Sequence, residues 1–121
     1  MTASEKRRTQ RIPIDGPPAA GEMCVLRGTG RVPVKGIKDL SDTGISLYVD
    51  EAAVARENVT IEYADRGIRL EVFGTVTWNQ EVALEANAPA WKGRYLVGIE
   101  LLASSILTSA ILKNYGSGKL R

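Results

Sequence analysis

From Glu22 onward apolar and polar residues alternate in short runs. "EMCVLRG" (22–28) is a compact apolar run, and the "GTG" after it predicts a hairpin turn. In 31–40, "RVPVKGIKDL", Val32 and Val34 alternate with Pro33 and Lys35, and Pro33 predicts an edge strand or a bulge. "GISLYVD" (44–50) sets Ile45, Leu47 and Val49 against Ser46 and Tyr48. "NVTIEY" (58–63) sets Val59, Ile61 and Tyr63 against Thr60 and Glu62. The longest run is "GIRLEVFGTVTW" (67–78). Ile68, Leu70, Val72, Val76 and Trp78 share one face, with Gly74 in the same series as a bend or bulge. That phase assigns Trp78 to the core and leaves Phe73 outside. "GRYLVGIELL" (93–102) is the last strand pattern. Period two throughout predicts strands with one buried face.

The period then changes. Ala103, Ile106, Leu107, Ala110 and Ile111 recur at helical spacing, with Ser104 or Ser105 to cap the start and Lys113 and Gly116 to suit the end. The chain therefore reads as strands followed by one amphipathic helix over 103–116 and a tail over 117–121. Short strands separated by turn signals predict a mainly β domain, a small barrel or sandwich, over 15–102. The segment 79–92, "NQEVALEANAPAWK", reads as the longest loop, with a short helical turn inside it. Residues 1–14 lack hydrophobic periodicity and read as a flexible arm.

Composition narrows the chemistry. The 121 residues suit one domain. The net charge of +2 is too small for a bulk nucleic-acid or membrane binder, but Lys6, Arg7, Arg8 and Arg11 face only Glu5 within the arm. The absence of histidine removes the usual general base and every Ser-His-Asp arrangement, so an enzyme is not expected. The single Cys24 allows neither an internal disulfide nor a Cys-x-x-Cys motif, and it reads as a small buried apolar residue. No cofactor or metal is expected. With no apolar h-region at the start and no apolar run of about 20 residues, the expectation is a cytoplasmic protein without a transmembrane segment.

Two short stretches carry candidate chemistry. In "RRTQR", Arg7 and Arg11 stand four apart, which puts them on one side of a helix or of an extended chain. Two guanidiniums suit phosphate and flat rings. In "DLSDTG", Asp39 and Ser41 are two apart, so on a strand they share a face. A carboxylate there accepts two N–H donors, such as guanine N1–H and N2–H₂. Gly44 permits a positive φ or a close backbone approach. The plain alternative is a solvated basic tail and a hairpin turn with side-chain caps.

Taken together, Arg-x-x-x-Arg at the start and Asp-x-Ser-x-x-Gly between two strands resemble the PilZ domain family, and "RYLVGIELL" is similar to that family's last barrel strand. The resemblance spans about Glu5 to Leu102. It implies a six-stranded antiparallel split β-barrel with a flexible N-terminal arm. It also implies a non-enzymatic receptor for the bacterial second messenger cyclic diguanylate (cyclic di-GMP). In that reading Arg7 and Arg11 clamp the ligand, with Arg8 adding a contact. Asp39 and Ser41 read guanine, and Gly44 shapes the turn. Ordering of the arm would relay the signal to an unidentified protein partner. Two alternatives stay open: a ligand-independent protein-interaction adaptor, and a small barrel binding RNA or single-stranded DNA. The second is disfavoured because the body lacks a basic and aromatic stripe.

Overall fold

The computed structural model describes residues 11–18, 22–28, 30–102, 107 and 109–111. They form eight antiparallel strands: β1 (Ile12–Gly16), β2 (Glu22–Arg27), β3 (Gly30–Pro33), β4 (Gly36–Leu40), β5 (Gly44–Val49), β6 (Asn58–Asp65), β7 (Ile68–Glu81) and β8 (Tyr95–Leu101). All lie in one sheet, ordered β1-β4-β5-β8-β7-β6-β2-β3. The mainly β expectation holds.

The strand count differs from the six implied, for two physical reasons. Residues 12–16 add β1 to the edge of β4, with Ile12 opposite Leu40 and Pro13 opposite Asp39. The segment 30–40 divides in two because its pairing changes partner: β3 pairs with β2 and β4 with β5. Between them, Val34 N–H donates to the Met23 carbonyl of β2 at 2.9 Å, and Lys35 N–H to the Tyr48 carbonyl of β5 at 2.8 Å. Pro33, with no N–H to give, ends β3 at that switch.

The inward faces build one core. Ile45, Leu47 and Val49 of β5 meet Ile37 and Leu40 of β4, Val97 and Ile99 of β8, and Val76 of β7. Met23, Val25, Ile61 and Tyr63 close the other side. The β6–β7 hairpin turns through Arg66 and Gly67, both at positive φ (56° and 82°), the two-residue geometry that matches strand twist. The expected loop over 79–92 starts later, since β7 runs to Glu81, and its remainder holds two single turns, Ala88 N–H to the Glu85 carbonyl at 3.0 Å and Lys92 N–H to the Pro89 carbonyl at 3.1 Å, without a helix.

Of the predicted C-terminal helix, residues 107 and 109–111 are described and are helical. Leu107 and Ile111, four apart, are fully buried in the core. Burial on this scale contributes about 1.5–3 kcal/mol per side chain. The remainder of 103–116, the tail over 117–121 and residues 1–10 of the arm lie outside the described residues. Among the described residues, no helix is long and apolar enough to cross a membrane.

One outward residue is buried by ion pairing. Glu62 accepts hydrogen bonds from Arg31 at 2.6 Å and Arg69 at 2.7 Å, and its side chain keeps only 8% exposure. The Arg31 hydrogen bond, opposed by burial and aided by both positive charges, holds its carboxyl below the ordinary carboxylate range. Glu57 is depressed in the same sense, first by its hydrogen bond from Arg27. A carboxyl depressed in the folded state stabilises the fold above its unfolded pKa and loses that contribution as pH falls through the folded value. The melting temperature should therefore drop as pH is lowered from about 5 to about 3. Glu62→Gln should lower it at neutral pH and flatten the acid dependence. Thermal melts across that range check both, and an unchanged slope would contradict the assignment.

Candidate functional site

The two halves of the predicted clamp meet at the sheet edge formed by β1 and β4. Arg11 immediately precedes β1, and its Nη1 donates to Asp39 Oδ1 at 2.7 Å across 28 residues of sequence. Side-chain exposure is 49% for Arg11 and 15% for Asp39. A bulge explains why Asp39 faces outward. Ile37 pairs with Leu47 and Asp39 with Ser46, which leaves Lys38 as the extra residue. Ile37 and Leu40 both face the core, three apart, and Asp39 between them turns out.

Ser41 does not share that face, because β4 ends at Leu40. Ser41 N–H donates to the Gly44 carbonyl at 2.9 Å. Its Oγ accepts from Gly44 N–H at 3.1 Å and Thr43 N–H at 3.3 Å. With 3% exposure it caps the turn rather than presenting itself to solvent. Gly44 lies against β8, and a Cβ there would stand 2.6 Å from the Ile99 carbonyl oxygen. Thr43 adds a tie to the same strand by accepting from Leu101 N–H at 2.8 Å. Ser41 and Gly44 therefore fix the hairpin against β8. Arg7 and Arg8 lie outside the described residues.

Trp78 departs from its predicted position in the core. Val76 pairs with Ile99 and Trp78 with Gly98, so Thr77 is extra and the phase of β7 reverses. Thr77 fixes the bulge by donating from its hydroxyl to the Gly98 carbonyl at 3.1 Å. Trp78 then stands on the outer face with 37% exposure. Its indole lies directly on Gly98, where a Cβ would come 2.2 Å from Cε2 and 2.3 Å from Nε1. Trp91 does not flank it. That ring packs edge-on to Tyr48, with centroids 5.6 Å apart. Burial, aided by Asp15 and Asp39, pushes the Tyr48 hydroxyl above its ordinary pKa.

A recess of about 190 Å³ is lined by Arg11, Thr43, Gly44, Thr77 and Trp78 together with Gly98, Ile99 and Glu100 of β8. That is below the roughly 300–1,000 Å³ of a site that engulfs a small molecule. The recess suits one flat group against an indole, with a cation and a carboxylate at its border. Nothing in the apolar alternation signals the Thr77 bulge, so period two alone puts Trp78 on the wrong face. The glycine opposite it on β8 was the one available hint. Among the described residues, no cluster of three or more His, Cys, Asp or Glu side chains could hold a metal.

Adjoining that recess, and sharing Thr43 and Glu100 with it, is a second surface feature where Phe73 and Leu102 are 63% and 69% exposed. Leu102 N–H donates to the Phe73 carbonyl at 2.9 Å, and both border a wide groove of about 810 Å³ with Leu26 and Val59.

The seating of Trp78 on Gly98 is open to a direct test. Gly98→Ala should lift the ring, red-shift Trp78 emission in a Trp91→Phe background, and destabilise the fold by about 1–3 kcal/mol through overpacking. Fluorescence and thermal melts read both effects, and unchanged emission would refute the seat.

No protein-family model matches this chain, and no curated protein matches it, so the reading of this surface rests on its residues and their geometry.

Proposed function

We propose that the protein is a non-enzymatic receptor for cyclic diguanylate, closing its N-terminal arm over the ligand against the outer face of the sheet. The observation that carries this reading is the Arg11–Asp39 contact beside the Trp78 recess. It joins the arm to the "DLSDTG" turn, the same two stretches that resemble the PilZ family. A cyclic dinucleotide carries two phosphate charges and two flat guanines. Arg11, with Arg7 and Arg8 from the arm, answers the phosphates. Asp39 accepts from guanine N1–H and N2–H₂. Trp78 offers an aromatic face for a base to pack against. Ser41 and Gly44 hold the turn that positions Asp39.

The six-stranded barrel of that family also has support. Counting 30–40 as one bent strand leaves six around the core, besides β1. That strand pairs with β2 through its first half and with β5 through its second. The bonds from Val34 and Lys35 to Met23 and Tyr48 join what are otherwise opposite ends of the sheet order.

The ligand reading places output in a protein partner, and the exposed Phe73 and Leu102 supply a surface for one. The same pair favours a second reading, a ligand-independent adaptor using that groove.

Calorimetry with cyclic diguanylate distinguishes them. Binding is expected, and Arg11→Ala and Asp39→Ala should each weaken it tenfold or more, on the order of 1.5–3 kcal/mol for charged hydrogen bonds. Asp42→Ala should matter less. Ser41→Ala should lower the melting temperature as well as affinity, because it removes the turn cap. No heat and no spectral shift at micromolar protein would sink the receptor reading and leave the adaptor.

A further inference from the structure

Strand register places four outward residues in one line across the sheet. Asp39 of β4 pairs with Ser46 of β5, Ser46 with Gly98 of β8, and Gly98 with Trp78 of β7. Ile45 and Leu47 point into the core, so Ser46 points to the outer face by alternation. Adjacent strands lie about 4.8 Å apart, and Trp78 lies over Gly98, so Ser46 occupies the gap of about 10 Å between the indole and Asp39.

Ser46 is chemically unusual there. It is 2% exposed, and among the described residues its hydroxyl has no hydrogen-bond partner. A buried hydroxyl without a partner costs stability, and native proteins retain few of them. Ser41, the hydroxyl first expected to face a ligand, is occupied by the turn. Arg11 lines the Trp78 recess with Gly98 while paired to Asp39, so it borders the cross-strand neighbours of Ser46 on both sides. A ligand phosphate that drew Arg11 away from Asp39 would open the approach to Ser46 from that side.

We propose that Ser46 is a specificity-determining contact that donates its hydroxyl hydrogen to O6 of the guanine read by Asp39. This rests on the receptor reading above and deepens it. The Watson–Crick edge of guanine presents an acceptor, O6, beside two donors, N1–H and N2–H₂. Asp39 supplies acceptors only, so O6 needs a donor on the same side, and Ser46 is the adjacent cross-strand residue. Adenine presents N6–H₂ at the O6 position and no N1–H or 2-amino group, so the Asp39–Ser46 pair mismatches it.

The test uses the full chain, calorimetry and two ligands: cyclic diguanylate and its 6-thioguanine analogue, which keeps N1–H and N2–H₂ but replaces O6 with a weaker acceptor. The unaltered chain should bind the analogue three- to tenfold more weakly, about the worth of one neutral hydrogen bond. Ser46→Ala should bind cyclic diguanylate more weakly by a similar factor and no longer distinguish the two ligands. Its free form should melt at the same or a higher temperature, since an unpaired buried hydroxyl has been removed. A lower melting temperature would show that the hydroxyl already serves the free fold, and would overturn the inference. So would wild-type affinity in Ser46→Ala, or discrimination that survives in it, with the receptor reading left standing. Failure of the unaltered chain to bind cyclic diguanylate would remove that reading and this inference together.

Discussion

Strict alternation between core and surface is the constraint on which this sheet depends. Each of β5, β6 and β8 sends every second side chain into one shared core, so the register of any strand fixes the outer face of its neighbours. Ile45 and Leu47 leave Ser46 outside, and Val97 and Ile99 leave Gly98 outside. A surface built this way is rigid without long side chains to brace it. It is also hard to adjust locally, because a one-residue slip would turn a whole strand over. The two bulges next to β5 and β8 are the local solution. One at Lys38 turns Asp39 out, and one at Thr77 turns Trp78 out, while Leu40 and Val76 stay in the core.

That explains which features were legible in the sequence. Six apolar runs are strand-like, and five of them form single strands while 31–40 divides into β3 and β4, because burial on one face leaves a period-two trace but a change of partner leaves none. Leu107 and Ile111 were legible as one side of a helix for the same kind of reason. Strand β1 was not, since "IPID" is too short to show a period and pairs with β4 only along one edge. Bulges were not legible either. One inserted residue leaves the apolar residues apolar and changes only their phase, so Trp78 was assigned inward. Ser41 follows the same logic, because extending β4 one residue past Leu40 puts it on the face of Asp39. In the fold the strand has already ended, and the hydroxyl closes the turn.

The contact between Arg11 and Asp39 is suited to being exchanged. With the arginine half exposed, an ion pair of this kind is worth about 0–1 kcal/mol. It is enough to bias the start of β1 toward the turn, and little is lost when it opens. A dinucleotide would replace it with two stronger sets of contacts, phosphate on the guanidinium and guanine donors on the carboxylate. On the receptor reading, each partner in the free protein thus holds the other oriented where the ligand would meet it, with Asp39 mostly covered and Arg11 half exposed. On that reading the Asp39 side is preorganised, and the Arg11 side is held by the pairing of β1 with β4 and by one half-exposed ion pair.

The asymmetry between those sides follows from how each is anchored. The turn after β4 is held by the Ser41 cap, by Leu101 N–H donating to the Thr43 carbonyl, and by the close approach of Gly44 to Ile99. Those ties lead into β8, which is paired on both sides by β5 and β7. Asp39, Ser46 and Trp78 therefore sit on connected, buried ladders and would move together or not at all. Arg11 precedes an edge strand paired with β4 alone, and one surface ion pair ties its side chain to Asp39 of β4. Ile14 of β1 belongs to the core, so a change confined to Arg11, ahead of that strand, is one that leaves the core undisturbed. On the receptor reading, a response to ligand would begin at Arg11, where rearrangement costs least.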